Sequence, residues 1–269
     1  MDLPSGTDTV QDAQGRKRSA EDEPKPSKRP VVSISTWLSS STGNADANAL
    51  PAPVTCEEAY IEDRNSVFIG YAMRLTTASP TYIAALLDNL THVIHPAIPI
   101  TKLPSQFRHS APSKRGSTHD MYAFRVLQLK PGRSGLRGPS DFGIEQGKED
   151  DGETWGADKI MRVIRELGAS DVLVVVSRWY GGQFLGPVRF EHITNAARAA
   201  LQAYLMEEQI NELKVKLRAL DKKIAGARRI PYKENAYNGL KIEQAKRLLV
   251  ARTKTFDIVL AQQDSIDKR

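Results

Sequence analysis

A single cysteine, Cys56, stands in a chain of 269 residues. One thiol excludes an intramolecular disulfide and any metal site built on several cysteines, and it fits a reducing compartment. Five histidines (His92, His95, His109, His119 and His192) are scattered without a metal-ligand spacing such as H-E-x-x-H. The chain also lacks G-x-S-x-G, G-x-x-x-x-G-K-[ST] and G-x-G-x-x-G. It therefore offers no nucleophile elbow, triphosphate loop or dinucleotide fingerprint. The longest aliphatic run is VLVVV at 172–176. That is strand length, far short of the roughly 20 apolar residues a membrane helix needs. The N-terminus has no apolar stretch for a secretory signal and too many acids for a mitochondrial presequence. A soluble cytoplasmic protein with no membrane partner is the expectation.

Charge is informative only when divided. Residues 206–269 carry 15 basic and 9 acidic side chains, net +6, whereas 1–54 is net −1 and 55–205 is net +1. The basic excess belongs to the C-terminal part, which is where RNA or an acidic protein face would be drawn.

Three regions follow, and no internal repeat is evident. Residues 1–54 are rich in Ser, Pro, Asp and Asn without apolar periodicity. They bury too little to offset their ordering entropy, so a disordered polar tail is expected. Its basic clusters at 16–18 and 25–29 are of the kind read as nuclear-import signals, and VVSISTWL at 31–38 is a candidate short docking element.

Residues 55–205 read as one folded domain of α/β class. SVFIGYAMRL alternates as a strand, and SPTYIAALLDNL starts a helix with Ser79 as N-cap and Pro80 at its first position. A polar connection over 95–119 leads to a second strand, MYAFRVLQL, then to a glycine-rich mobile loop over 130–149. Ile160, Val163, Ile164 and Leu167 mark a second helix ending at Gly168, and the strand at 172–176 reads as interior. A helix from about 188 completes the set, with the helices expected on one face of the sheet.

Residues 206–269 read as a basic helical hairpin or coiled coil. Ile210, Leu213, Leu217, Leu220 and Ile224 step by 3 and 4 residues, Pro231 interrupts, and Ile242, Ala245, Leu249, Phe256 and Val259 mark a second helix. An antiparallel hairpin, or a seam open to self-association, is expected.

Chemistry concentrates in two stretches. Asp150, Asp151 and Glu153 fall within four residues at a helix start, where capping of free N–H groups outweighs metal binding. The run SRWYGGQFLGPVRF places Arg178, Trp179, Tyr180 and Arg189 around Gly181, Gly182, Gly186 and Pro187. Glycines and a proline at a strand-to-helix corner read as turn chemistry. The arginines and aromatics read equally as a recognition surface or as packing, with the arginines paired to the acids.

STHDMYAFRV (117–126), DDGETWGADKI (150–160) and VLVVVSRWYGGQFLGPVRFEHITNAAR (172–198) together resemble the IMPACT family, over roughly residues 60–205. The resemblance implies a two-layer α/β sandwich similar to the second domain of small-subunit ribosomal protein five, here with a C-terminal helical extension. It implies no enzymatic activity and no cofactor. It implies a regulator of translation in amino-acid starvation that binds a protein partner of the translation-control machinery. Nucleic-acid binding, suggested for bacterial members, is the alternative, led here by the basic C-terminal helices.

The family pattern falls on His119, Asp150, Asp151, Gly152, Glu153, Arg178, Trp179, Tyr180, Gly181, Gly182, Gly186, Pro187, Arg189, Phe190, His192 and Ile193. The polar members and aromatics are the candidate binding residues. Four departures stand out: residues 1–54 are too short and polar for the RWD domain of eukaryotic members, a helical hairpin is expected in place of the C-terminal domain of bacterial members, the loop at 130–149 is longer than usual, and Trp155 is bulkier than the familiar residue there.

Overall fold

The computed structural model describes residues 50–267, with side-chain surroundings to 263. The import-like clusters, the 31–38 element and nearly all of the polar tail lie outside the described residues. The last residue of the tail region, Val54, exchanges backbone hydrogen bonds with Ala72 at 2.7 and 2.9 Å, so pairing begins there.

Among the described residues five strands form one sheet: β1 (Tyr60–Asp63), β2 (Ser66–Arg74), β3 (His119–Leu129), β4 (Phe142–Glu149) and β5 (Val172–Trp179). Their order is β1-β2-β5-β3-β4, and every neighbouring pair is antiparallel. The aliphatic strand is central, and all eight of its residues are buried. A strand covered on both faces needs no polar alternation, which is why it reads as a continuous apolar run.

The four longer helices are α1 (Pro80–Asn89), α2 (Gly156–Glu166), α3 (Val188–Ala227) and α4 (Ile242–Asp267). Helices α2 and α3 pack on one face with Phe68, Ala72, Met121, Ala123, Val172, Val174 and Val176, which makes the expected two-layer core. The expectation that helices cover one face alone needs correction. Ile83, Leu86 and Leu90 join Leu103 on the other face, against Val67, Ile69, Tyr71, Leu173, Val175 and Trp179. Helix α1 starts as expected, with Ser79 at the N-cap and Pro80 in the first turn. It continues as a π-helical turn (Leu90–Ile94) and a last turn (His95–Ala97). Pro96 has no N–H to extend the regular ladder there.

Two strands escape the sequence reading. The mobile loop expected over 130–149 contains β4, which pairs with β3 along its whole length. Its exposed, glycine-bearing composition hides it, because only one side of it meets other residues. The missing side chain at Gly147 is replaced by the ring of Phe124, its cross-strand partner, where a Cβ would come within 2.5 Å. The other missed strand, β1, joins β2 through Arg64 and Asn65, both at positive φ (45° and 60°), as a two-residue hairpin turn requires.

Residues 205 and 206, where the sequence changes character, lie inside the single helix α3. Beyond the sheet, Leu213, Leu217 and Ile224 are buried, as are Ala245 and Val259 of α4. The antiparallel hairpin does not form. Arg252 pairs with Asp221 at 2.9 Å, Lys223 lies over the Phe256 ring, and Gln263 donates to the Ala227 carbonyl. Numbers rise together on the two helices, so they run in the same sense. The 228–241 connection makes this possible by doubling back: Tyr237 meets Asp221 and Arg218 reaches the Asn235 carbonyl at 3.3 Å.

Candidate functional site

The candidate residues meet where β5 ends, α2 begins and α3 begins. Arg178 and Trp179 are not in a loop, since β5 runs through Trp179. Successive strand residues point to opposite faces, so these two side chains part company. Trp179 enters the α1 face, fully buried, with its Nε1–H donating to the Arg115 carbonyl at 2.8 Å. Arg178 enters the α2–α3 face.

There Glu153, 5% exposed, takes Arg178 on Oε2 and the Nε of Arg189 on Oε1, the latter at 2.6 Å. A buried carboxylate between two guanidinium groups satisfies charges that would be costly alone. Arg189 also donates to the Gly186 carbonyl at 2.7 Å and lies over the Phe190 ring, 4.2 Å from its centroid. Arg178 sits between Phe68 and Tyr180, 5.2 and 5.4 Å from their centroids. The arginines are held by packing and pairing.

The other acids serve the backbone. Asp150 accepts from Ala157 N at 2.9 Å and Trp155 N at 3.1 Å, closing the start of α2. Such caps supply the acceptors that the first helical N–H groups lack. Asp151 accepts from Asp120 N at 2.6 Å, and its carbonyl receives the Nδ1–H of His119 at 2.7 Å. His192 stands at the far end of the cluster, Nε2 2.8 Å from Asp63, and this hydrogen bond holds the Asp63 carboxyl below its ordinary range.

Gly152, Gly182 and Gly186 take positive φ, as turn positions do, and Pro187 precedes α3. Gly181 is required for another reason: a Cβ there would strike the Asn65 backbone. Gly181 N donates to Ser66 Oγ at 3.0 Å, and its carbonyl accepts from Asn65 Nδ2 at 3.3 Å. Asn65 also accepts from Ser105 N at 3.2 Å. Sequence reasoning missed Asn65, although an asparagine beside a hairpin turn is a recognisable signal. It also missed Gln106, which donates to the Tyr180 carbonyl, and Thr118, which accepts from Tyr180 N at 3.0 Å.

Two aromatics stand outward among polar residues. Phe184, 90% exposed, lies on Tyr180 with ring centroids 6.1 Å apart, and Trp155, 64% exposed, follows two residues after Glu153. Among the described residues no group of three His, Cys, Asp or Glu side chains is placed to hold a metal ion. No helix among them is long and apolar enough to cross a membrane.

The protein is thus an antiparallel α/β domain whose corner arginines share one buried carboxylate and whose outward residues there include Trp155 and Phe184. The Impact N-terminal domain pattern matches residues 64–201, and the chain belongs to that family. Protein IMPACT of Rattus norvegicus is 30% identical over 197 residues, covering 73% of this chain and 52% of that protein. Protein IMPACT of Xenopus laevis is 43% identical over 88 residues, 33% of this chain and 25% of that protein. The chain spans about half the length of these relatives, or less. Two solved structures are similar over part of the chain. One, described as "Crystal structure of an hypothetical protein", is 21% identical over 58% of each chain, TM-score 0.35. The other, "Structure of two-domain translational regulator Yih1 reveals a possible mechanism of action", is 25% identical, covering 68% of this chain and 54% of that one, TM-score 0.29.

Proposed function

We propose that this chain is a regulator of translation that acts by binding a protein partner of the translation machinery, with no chemistry of its own. Family membership supports the regulator reading. The binding reading rests on the corner's geometry: both arginines pair with Glu153 while Phe184 stays almost wholly exposed on Tyr180. Exposed aromatics on a rigid base are the usual anchors of protein interfaces. The acids and histidines of the corner are bound to backbone or to partners, which leaves a general acid–base role without a free group.

The test is co-sedimentation of the full chain with ribosomal fractions of a translating extract, read beside translation output. The Phe184→Ala, Trp155→Ala double variant is expected to fold normally and to lose at least tenfold of the association, a large hot-spot effect. Association equal to wild type removes the aromatic corner as the binding surface. Neither association nor an effect of the wild type on translation removes the regulator reading.

A second reading has one observation in its favour. Lys222, Arg228, Arg229 and Lys233, around the end of α3, are all exposed. RNA led by this cluster would dissociate steeply with salt as counterions return. Fluorescence anisotropy across a salt series, with the full chain and a chain ending at Leu205, measures that. Binding lost with the tail supports this reading, and absence of binding rejects it. Self-association through the C-terminal helices would use the outer side of α4, where Val250 and Ile258 are exposed. Sedimentation velocity reads it.

A further inference from the structure

Among the described residues the sheet ends on β4, and no described strand lies beside its outer edge. The backbone hydrogen bonds of the strand among those residues run to β3. Eight residues is long for an edge, and β4 contains neither proline nor a bulge to blunt it. Its composition gives partial protection: Glu145, Lys148 and Glu149 are charged and exposed. Those charges are sorted by face, however, and the sorting is what makes the edge selective.

The register places Lys148 opposite Ala123, Gln146 opposite Arg125 and Ile144 opposite Leu127. Cross-strand partners share a face, and Ala123 belongs to the α2–α3 side. Ile144, Gln146 and Lys148 therefore face α2, while Glu145 and Glu149 face the other way. Between β4 and α2 runs a groove of about 460 Å³ lined by Gln146, Lys148, Asp158, Met161, Arg162 and Arg165. Lys148 is paired with Asp158, and Arg162 with Glu166 at 3.3 Å. The Arg165 guanidinium makes no ion pair or hydrogen bond among the described residues. The groove holds three cations against one acid, with Ile144, 52% exposed, at its side.

We propose that the β4 edge is a docking site for an extended protein segment with acidic side chains at every second position. The segment adds as a sixth strand. Its backbone satisfies the free N–H and C=O groups of β4, as in other cases of strand addition. Period-two alternation sends one set of its side chains into the groove, where carboxylates meet Arg162, Arg165 and Lys148. The intervening positions face Glu145 and Glu149, so acids there are excluded and uncharged residues fit. This surface is separate from the aromatic corner, and its test does not depend on that reading.

The probe is a capped decapeptide of alternating glutamate and threonine, with the lysine–threonine decapeptide as control. The readout is hydrogen exchange of the full chain with and without peptide, with peptide affinity measured by anisotropy. The expected result is slowed exchange within Phe142–Glu149, and binding by the glutamate peptide at least tenfold tighter than by the lysine peptide. The exposed Arg162→Glu, Arg165→Glu double variant should weaken that binding at least tenfold and leave the unfolding midpoint near wild type. Unprotected β4 amides at millimolar peptide overturn the proposal. So does equal binding of the two peptides, or full binding by the double variant.

Discussion

The guanidinium of Arg178, in the central strand, closes on the carboxylate of Glu153, which lies 25 residues earlier at the entrance to a helix. Neither group is more than 6% exposed. This contact ties the strand that organises the sheet to the helix that covers it, and Arg189 joins the same carboxylate from the next helix. Removing either arginine, which the sequence alone would suggest as a test of binding, is therefore a test of folding.

Arg178→Ala is expected to cost about 2–3 kcal/mol of stability, because a buried charged hydrogen bond is lost while Glu153 keeps Arg189. The Arg178→Ala, Glu153→Ala double variant should lose less than the sum of the two singles, since the Arg178–Glu153 contact is lost in both. Urea unfolding of the four proteins of the cycle measures both quantities. Additive losses would show that the pair contributes no coupling.

His95 provides a pH dependence. It is 1% exposed, its Nε2 meets Ser177 Oγ at 3.1 Å, and its rings of contact are Trp179 and Tyr71. Burial pushes its pKa down, with Asp120 opposing in part. Between the folded value and the unfolded value of about 6.5, the unfolded chain holds more protons. The stability contributed by neutral His95 is thus complete above that unfolded value and falls as the pH drops towards the folded one. His95→Gln should flatten this part of a curve of thermal midpoint against pH.

Gly181→Ala tests the close approach to the β1–β2 turn. The added methyl strikes the Asn65 backbone, which cannot swing aside as a flexible side chain would. A loss of about 1–3 kcal/mol is expected from overpacking of this kind. Gly182→Ala meets only Gln106 at 3.9 Å, so strain at its φ of 85° is the main cost there. Paired denaturation curves measure both losses, and an Asn65→Ala background should leave the Gly181→Ala loss in place, because the atoms struck are the Asn65 carbonyl carbon and oxygen.

Leu217→Ala tests the same-sense pairing of α3 and α4. Leu217 is fully buried beyond the end of the sheet. Losing it should cost about 2–5 kcal/mol locally and speed amide exchange along α4 and 209–227. Exchange within β5 should stay as it is, because stability differs between such cooperative units. Equal acceleration in β5 would show that the helical extension and the sheet open together.

Local signals were enough wherever one residue or one period dictates the backbone. Ser79 and Pro80 mark the start of α1, Gly168 with φ of 64° closes α2, and the aliphatic run makes β5 the central strand. Of the five positions that step by 3 and 4 residues, Leu213, Leu217 and Ile224 are buried, and Ile210 and Leu220 are half-buried. The motifs that carry the family resemblance at 117–126, 150–160 and 172–198 lie within the matched residues 64–201. Each of these depends on contacts or conformations a few residues wide.

The rest required chain segments that are far apart to meet. Edge strand β4 has little apolar pattern because only one side of it is covered, and its Gly147 is completed by Phe124 from another strand. Nothing within SRWYGG says which side chain faces which helix. The sheet decides that, sending Trp179 to one face and Arg178 to the other. The direction of α4 depends on where 228–241 finds partners on α3, and Pro231 alone does not set it. The sequence by itself determined the longer helices, three of the five described strands and the residue types at the corner, because helix, strand and turn preferences act over short range. Tertiary structure alone decided that Glu153 pairs with both arginines and that Phe184 stays outward, because burial and ion pairing depend on which surfaces are pressed together.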